Sequence, residues 1–428
     1  MIDIKIIRES ADSVREACRL KNMKPEVVDR VLEIDTRRRA LETEFNDLRH
    51  KQKTMGEQIA KAAPAEKAKM SAELGPLKNR LKEIEAEREQ VDKDQYQAML
   101  LVPQIPHKDA PRGRDDSENV EVRRHGTPRK REDFGFAFKD HIELGDALRL
   151  FDLDRGVKLA GARNYVLTGQ GAMLHEAVLR LAWDLMCTRG FTPLTVPVLV
   201  LEKLMYGTGF FPLHRDEVYL AERDEQCLVG TAEVPVTGLH MDEILEEREL
   251  PKLYVARSTC FRREAGAAGK DTRGLYRIHF FEKLEQVVIC KADGDESARL
   301  HELIIKNSED LLQALELPYR VVEVCTGDMG QGKVRMYDIE TWMPSREKYS
   351  ETHSASRFHD FQARRLNIRY RDADGKVQVC HTLNNTVVAS PRILIPLMET
   401  NQNADGSITI PKALRPYMQN AEKISAGA

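Results

Sequence analysis

The chain has 428 residues, of which 41% are hydrophobic and 32% are charged. This length predicts two or three domains, and the apolar fraction excludes a fully disordered chain. The 66 Lys and Arg residues against 69 Asp and Glu residues give a net charge of -3. Because no global positive field results, any contact with nucleic acid must come from a local patch.

The cysteines predict a reducing compartment. Their number is odd and their spacing is wide, with no Cys-x-x-Cys and no Cys/His cluster at zinc spacing, so we expect buried free thiols and no zinc. The N-terminal MIDIKIIRES lacks the apolar run of a signal peptide, and no 18-residue apolar run occurs elsewhere. We therefore expect a cytoplasmic protein without a membrane span. The seven cysteines are Cys18, Cys187, Cys227, Cys260, Cys290, Cys325 and Cys380.

The first elements in chain order are a predicted short strand, Ile2 to Ile7, and a helix. A heptad pattern then fills about residues 27–98, in two runs separated by the helix-breaking KAAPAEK segment. This pattern predicts an antiparallel coiled-coil hairpin within an N-terminal domain of residues 1–102. Gly75-Pro76 predicts a kink or a late start of the second helix. The apolar seam positions are Val31, Ile34, Leu41, Phe45, Leu48, Met55, Ile59, Met70, Leu74, Leu77, Leu81, Ile84, Val91 and Ala98.

Residues 103–133 are rich in Pro and Gly and predict a linker, followed by a body of residues 134–428. In the body, a helical period covers Ala172 to Thr188. Long strand-like runs then alternate with Gly-containing loops, which favours an α+β fold with an antiparallel sheet flanked by helices. The sequence has neither a G-x-G-x-x-G nor a P-loop motif, so any nucleotide is bound by another device. The predicted strands are Thr195 to Leu201, Lys252 to Glu264, Leu275 to Ile289 and Asn367 to Asp372.

The segment FRREAGAAGKDTRGLYRIHFFEKLE, residues 261–285, carries the chemistry. Side chains alternate along a strand, so one face receives Arg277, His279, Phe281, Lys283 and Glu285. The other face, with Ile278, Phe280, Leu284 and Val288, is predicted to be the core side. Arg262 and Glu264 share a face of the preceding strand, and the connecting loop adds Lys270 and Arg273. A solvated, mixed-charge face is the alternative, but a ring among fixed arginines is typical of a base and phosphate platform.

This segment and four others resemble the seryl-tRNA synthetases of the bacterial and organellar type. The segment above resembles motif 2 of class II synthetases, and LVGTAEVPVTGLH, residues 228–240, resembles the serine-binding segment. GFTPLTVPVLV, residues 190–200, resembles motif 1. YSETHSASRFHDFQARRLNIRY, residues 349–370, and HTLNNTVVASPRILIPLMETNQ, residues 381–402, resemble the E-x-x-S segment and motif 3. The resemblance spans nearly the whole chain, the hairpin included.

The resemblance implies ATP-dependent activation of L-serine to seryl-adenylate, and transfer to the 3′ end of tRNA(Ser) and of tRNA(Sec). It implies Mg²⁺ with ATP and no zinc. The implied catalytic residues are Arg262, Glu264 and Arg392. The implied ATP-binding residues are Arg262, Arg263, Glu264, Arg277, Ile278, Phe281, Glu351, Thr352, His353, Ser354 and Arg392. The implied Mg²⁺ ligands are Glu351 and Ser354. The implied serine-binding residues are Thr231, Ala232, Glu233, Arg262, Glu285, Asn384 and Thr386.

The resemblance also gives the hairpin a role, because this family's coiled coil grips the long variable arm of serine tRNAs across a homodimer. Residues 37–53 hold six Lys or Arg against three acidic residues. Charge runs on coiled coils are often solvated exteriors, so the charges alone do not establish tRNA contact. The expected tRNA-binding residues of the arm are Arg37, Arg38, Arg39, Arg49, Lys51 and Lys53.

Two alternatives stay open at this stage. One is a class II paralogue that activates an amino acid for a carrier protein, and the other is a non-catalytic coiled-coil tRNA-binding protein. The sequence also departs from the family pattern after Glu351, with His353, Ala355 and Arg357, and with Asn385 in motif 3. We interpret His353 as packing around the site rather than as an acid or base.

Overall fold

The computed structural model describes residues 1–267 and 273–426. Contacts divide the chain into two compact units, Met1–Pro103 and Gln104–Ala428. Within the described ranges, no helix combines the length and the apolar character needed to cross a bilayer.

The first unit is helical and is built around a long hairpin. Its pairing is antiparallel, because Arg38 of the first hairpin helix contacts Asp92 of the second. Glu44, further along the first helix, contacts Arg80, which comes earlier in the second. The predicted heptad hairpin is therefore confirmed. The helices are α1 (Ile4–Glu9), α2 (Ala11–Leu20), α3 (Glu26–Lys61) and α4 (Pro64–Leu100).

The seam of the hairpin buries the apolar heptad positions nearest its base, including Val31, Leu41, Ile84 and Val91. Its buried charge is Asp35, which accepts hydrogen bonds from Arg8 of α1 at 2.6 and 2.8 Å, from Arg39 at 3.1 Å and from Gln95 of α4 at 3.1 Å. These partners hold the pKa of Asp35 below its ordinary value, mainly through the Arg8 hydrogen bond. Asp35 therefore joins α1 to both hairpin helices.

One local prediction in this unit is wrong, and one of the two alternatives predicted at Gly75-Pro76 is excluded. Ile2 to Ile7 does not form a strand, because Asp3 caps a helix there, its carboxylate accepting from the Lys5 N–H at 2.9 Å. The second hairpin helix does not start late, since α4 continues through Pro76. Pro76 is exposed, so water can solvate the carbonyl that loses its helical hydrogen bond.

The strands of the second unit are β1 (Val120–His125), β2 (Phe151–Asp152), β3 (Val166–Leu167), β4 (Thr192–Thr195), β5 (Leu199–Leu201), β6 (Leu220–Ala221), β7 (Gln226–Leu228), β8 (Ile244–Glu246), β9 (Lys252–Phe261), β10 (Phe280–Cys290), β11 (Tyr319–Glu323), β12 (Arg335–Met343), β13 (Lys348–His359), β14 (Arg369–Arg371), β15 (Val377–Val379), β16 (His381–Ser390), β17 (Ile408–Thr409) and β18 (Lys423–Ile424). Eight of these strands form one sheet, in the order β1-β11-β12-β13-β16-β10-β9-β4. Its pairings are antiparallel except that β4 runs parallel to β9. The helices are α5 (His141–Leu148), α6 (Leu153–Ala160), α7 (Gly169–Thr188), α8 (Glu202–Thr208), α9 (Glu233–Gly238), α10 (Gly294–Ala314), α11 (Phe361–Leu366) and α12 (Leu394–Thr400).

The antiparallel sheet with flanking helices was predicted and is confirmed, with differences at the edges. The predicted linker of residues 103–133 contains β1, which pairs with β11 in the main sheet. The predicted strand from Thr195 to Leu201 is two short strands, β4 and β5, and the one from Leu275 begins only at Phe280. Cys187 is exposed, whereas the other six cysteines are buried; all seven are free thiols.

The two faces of the main sheet differ in chemistry. Helices α7 and α10 cover one face, where Leu174 and Ile304 pack with Leu284, Val288 and other apolar strand residues in the main core. The opposite face is covered in part by α9 and α11 and opens at the cavities lined by the polar side chains described next.

Candidate active site

The central strands β10 and β16 present polar side chains to the open face; alternation places those of β10, whereas β16 has an extra residue at Val387. On β10, Phe281, Lys283 and Glu285 line two cavities on this face, while Leu284 and Val288 lie in the core behind it. Thr386 of β16 pairs directly with Glu285. The larger cavity has a volume of about 620 Å³ and the smaller one about 50 Å³.

A β-bulge brings Glu351 and Ser354 to the same side of β13. Side chains three apart on a regular strand point to opposite faces. Here Glu340 pairs with Glu351 and Ile339 with His353, so the intervening Thr352 is the extra residue. Both Glu351 and Ser354 therefore line the larger cavity. Asp338, opposite Ser354 on β12, is buried and its Oδ1 has no hydrogen-bond partner among the described residues.

This oxygen-rich corner fits a hard cation. A carboxylate, a hydroxyl and a nearby buried carboxylate are the donors that Mg²⁺ accepts, and Mg²⁺ bound with a nucleotide needs only one or two protein carboxylates. No cluster of three or more His, Cys, Asp or Glu side chains suited to a metal occurs in residues 1–267 and 273–426.

The segment after β9 places two charged side chains at the mouth of the cavities. The Arg262 N–H donates to the His279 carbonyl at 2.9 Å, which continues the hairpin one residue beyond the strand. The Arg262 guanidinium carbon lies 5.1 Å from the centre of the Phe281 ring. Glu264 adopts a positive φ of 54° and its carboxylate accepts from Arg277 at 2.7 Å. Two predicted nucleotide ligands are thus paired with each other.

Glu217, which also lines the larger cavity, anchors this segment. Its carboxylate accepts hydrogen bonds from the Ala265 and Gly266 N–H groups at 3.1 and 2.9 Å, and its carbonyl accepts from the Arg263 N–H at 3.0 Å. Arg392 closes the other side, donating to the Tyr276 carbonyl at 3.1 Å and lying 4.6 Å from the centre of the Tyr276 ring. Lys270 of the predicted loop lies outside the described residues.

The inner end of the larger cavity holds two buried carboxylates, Glu285 and Glu233, and Lys283 and Lys333 also line this cavity. Glu285 is almost fully buried; its Oε2 lies 2.6 Å from the Lys283 ammonium and accepts from the Thr386 hydroxyl at 3.3 Å. Glu233, the first residue of α9, is also buried and lines the same cavity. Thr231 lies beside it, its Oγ accepting from the Glu233 N–H at 3.2 Å.

Burial and, after it, the neighbouring Glu285 carboxylate raise the pKa of Glu233 to about 7. The Gln362 amide and the charges of Lys283 and Lys333 act in the opposite direction. A cationic ligand stabilises the ionised form of a buried carboxylate, and the effect is strong where a second carboxylate lies nearby. The inner end therefore fits a small molecule that carries an ammonium group.

The structure brings most of the predicted site residues to the two cavities. Lining residues among them are Thr231, Glu233, Arg262, Glu264, Arg277, Ile278, Phe281, Glu285, Glu351, Thr352, Ser354, Asn384, Thr386 and Arg392. Ile278 was expected on the core side by alternation and at the nucleotide by the resemblance. It is buried in the main core cluster although it precedes β10, and its side chain also lines the smaller cavity.

Three of the predicted residues do not line either cavity. Ala232 is buried in an apolar cluster with Val236 and Val287, and Arg263 is exposed and meets Glu217 through its backbone. His353 is buried opposite Ile339 of the core, and its Nδ1 lies 2.8 Å from the Thr352 hydroxyl. Burial lowers the pKa of His353 to about 3, so the ring is neutral. Its position agrees with packing around the site.

Sequence reasoning assigned no role to four residues that shape the site: Lys283, Tyr276, Glu217 and Gln362. The alternation along β10 placed Lys283 on the open face, which was a usable signal. The other three act through contacts between segments far apart in sequence, which no local pattern encodes.

Comparison with known proteins agrees with this geometry. A family model described as tRNA synthetase class II core domain (G, H, P, S and T) matches residues 214–401, and one described as Seryl-tRNA synthetase N-terminal domain matches residues 1–106. The antiparallel sheet and the site on its open face define a class II aminoacyl-tRNA synthetase.

The relatives specify the family. The chain is 44% identical to a serine--tRNA ligase of Deinococcus radiodurans, over 99% of this chain and 98% of the relative. It matches the crystal structure of seryl-tRNA synthetase from Pyrococcus horikoshii complexed with ATP over the full length of both chains, with a TM-score of 0.93 and 37% identity. It also matches the cytoplasmic Serine-tRNA ligase from Naegleria fowleri in complex with AMP, with a TM-score of 0.89, 29% identity and coverage of 100% and 99%. The chain belongs to the seryl-tRNA synthetase family.

Membership confirms the resemblance on which the sequence-based expectations rested. Neither alternative is favoured, since the match includes the N-terminal hairpin domain as well as the class II core.

Proposed function

We propose that this chain activates L-serine with ATP and transfers the seryl group to the 3′-terminal ribose of tRNA(Ser), and of tRNA(Sec) as a second substrate. The observation that carries the proposal is the polarity of the larger cavity. Arg262, Arg277 and Arg392 line its outer part, and the buried Glu233 and Glu285 line its inner end. A triphosphate suits the first region and an amino-acid ammonium group the second.

The nucleotide is held by the outer residues. Adenine stacks on Phe281, and the smaller cavity beside it, lined by Ile278 and Arg392, accommodates the base. Arg277 turns from Glu264 to the phosphates, which leaves the Glu264 carboxylate for the adenine amino group. Arg262 lies over the Phe281 ring, next to the point where the α-phosphate follows the ribose. Planar guanidinium groups bind phosphate oxygens in pairs, which fixes orientation as well as charge.

Serine is held by the inner residues. Glu233 and Glu285 receive its ammonium group, Thr231 supports that contact, and Thr386 with Glu285 receives its hydroxyl group. Asn384 lines the same cavity. Glu285 and Thr386 are both buried, so an amino acid without a hydroxyl leaves their polar atoms without a partner. A site of this kind rejects such an analogue by about 10⁴-fold or more.

The reaction then needs alignment and charge neutralisation rather than a general base. The serine carboxylate is already ionised at neutral pH; its oxygen attacks the α-phosphorus, and pyrophosphate leaves. Arg262 neutralises the charge that develops on the α-phosphate. Glu351 and Ser354 hold Mg²⁺, which supplies charge neutralisation of the phosphates when bound. In the second step the ribose 3′-hydroxyl of the tRNA attacks the seryl carbonyl carbon, and AMP leaves.

The hairpin is proposed to bind the long variable arm of the tRNA. Four of its six candidate residues are engaged within the hairpin itself: Arg37 with Glu87, Arg38 with Asp92, Arg39 with Asp35 and Arg49 with Glu85. Lys51 and Lys53 are the candidates without an ion pair among the described residues, so phosphate contact depends most on them. Such contacts lose strength as salt rises.

The remaining assignments follow from the same family. We propose a homodimer that uses the motif 1 segment, residues 190–200, and a cytoplasmic location. Light scattering measures the first of these, and a monomer that still charges tRNA would contradict it.

Serine-dependent exchange of labelled pyrophosphate into ATP, followed by charging of tRNA(Ser), tests the activity. We expect both reactions with serine and neither with alanine. Exchange without charging would favour the carrier-protein alternative, and absence of both would refute the proposed activity.

A further inference from the structure

Gln362 lies behind the amino-acid end of the larger cavity. It is the second residue of α11 and is 1% exposed. Its amide nitrogen donates to Glu233 Oε1 at 2.6 Å and to the Thr208 carbonyl at 3.1 Å, and its amide oxygen accepts from the Thr382 hydroxyl at 2.7 Å. The side-chain amide is therefore held on three sides.

The orientation of this amide follows from its partners. A backbone carbonyl only accepts hydrogen bonds, so the group facing Thr208 must be the nitrogen. The same nitrogen has its second hydrogen directed at Glu233. The amide thus donates both of its hydrogens, one to the Thr208 carbonyl and one to Glu233 Oε1.

The carboxylate that Gln362 contacts is in an unfavourable setting. Glu233 is buried and near Glu285, and both effects disfavour its ionised form. The groups that favour ionisation are the Gln362 hydrogen bond and the positive charges of Lys283 on β10 and Lys333 in the loop before β12. Gln362 also fixes the carboxylate in space, since it occupies one of the two oxygens at a defined point.

We propose that Gln362 is a positioning residue for amino-acid recognition: by donating to Glu233 Oε1, it favours the ionised carboxylate and directs Oε2 to the substrate ammonium group. This inference rests on the proposed function, because it assumes that Glu233 binds the ammonium of serine. Gln362 itself lines neither cavity and touches no substrate.

The test is the Gln362→Met variant, which keeps the length of the side chain and removes the donor. We expect the loss of this hydrogen bond to a charged group to raise the KM for serine in the exchange reaction by about 10- to 100-fold. The kcat at saturating serine and the KM for ATP stay near the wild-type values, because the interaction lost is with the ground state and the transition state alike. The acidic limb of kcat/KM for serine moves to higher pH, since Glu233 then ionises with more difficulty.

The matched control is Thr382→Val, which breaks the bond on the other side of the same amide. It loses folding stability as any buried polar change does, but its serine KM and acidic limb stay unchanged. If Gln362→Met folds poorly, Gln362→Asn replaces it; the shorter amide cannot reach Thr208 and Glu233 together, and the KM rise is then intermediate.

Two outcomes overturn the inference. One is an unchanged serine KM and acidic limb in a folded Gln362 variant, and the other is an equal shift in Thr382→Val or an equal rise in the KM for ATP, which would mark a general structural role. If the wild-type chain shows no serine-dependent exchange, the proposed function fails instead, and the two failures are distinguishable.

Discussion

Replacing Glu233 by Gln should make the catalytic unit more stable and less active. The folded chain holds the pKa of this carboxyl at about 7 against an ordinary value of 4.5. Because the folded state then binds more protons than the unfolded state between these pH values, the free energy of unfolding falls as pH rises through this window and stays low above it. Each pH unit corresponds to 1.36 kcal/mol, so the cost above pH 7 is at most about 3 kcal/mol.

Glutamine has nearly the same shape and its carbonyl oxygen can still accept from Gln362. We therefore expect Glu233→Gln to raise the free energy of unfolding by about 2–3 kcal/mol at pH 8 and to change it little at pH 5. Urea unfolding followed by tryptophan fluorescence measures this in the full chain, because both tryptophans, Trp183 and Trp342, lie in the second unit. The KM for serine should rise in the same variant.

The control is Glu249→Gln. Glu249 is exposed and accepts from the Glu246 N–H and from Lys252, contacts that lower its pKa. Its replacement should give no gain at pH 8. A Glu233→Gln variant that is less stable than wild type at pH 8, or equally changed at both pH values, would refute the reasoning.

Three further outcomes are expected. Arg262→Ala should abolish serine-dependent pyrophosphate exchange, and near-normal exchange would contradict its role at the α-phosphate. Lys51→Ala with Lys53→Ala should raise the KM for tRNA in a salt-dependent way and leave exchange unchanged, with Lys82→Ala on the other hairpin helix as control. Asp35→Ala should destabilise the first unit by about 2–3 kcal/mol, because Arg8 and Gln95 lose a buried partner; an unchanged midpoint by far-UV circular dichroism would exclude this.

The chemistry of the site was more predictable than its boundaries. Alternation along one strand placed Phe281, Lys283 and Glu285 on one face, since the period of a regular strand is fixed by its backbone. The same rule placed Ile278 on the core side, where it is buried, but did not show that Ile278 also lines the smaller cavity, since it precedes β10 by two residues. Strand alternation would also have placed Glu351 and Ser354 on opposite faces of β13, since a bulge is a property of the paired strands and not of one segment.

The heptad pattern predicted the hairpin because its seam depends on spacing alone. The strand predicted at Ile2 to Ile7 failed for a related reason: closely spaced isoleucines also suit a short helix, and the Asp3 cap decides between the two. Glu217 and Gln362 could not be predicted, because their partners lie at least 46 residues away for Glu217 and 20 or more for Gln362.

The three contacts of Glu217 make the two ends of the cavity mechanically dependent on each other. Residues 263–266 are hydrogen-bonded to Glu217, and the strands that follow Glu217 in the chain, β6 and β7, lead to Thr231 and Glu233. The Phe261 N–H also donates to the Val229 carbonyl at 2.8 Å, which ties the same two segments a second time. A displacement of residues 263–266 is therefore transmitted to the segment that carries Thr231 and Glu233. The ATP end and the serine end of the cavity cannot move independently of each other.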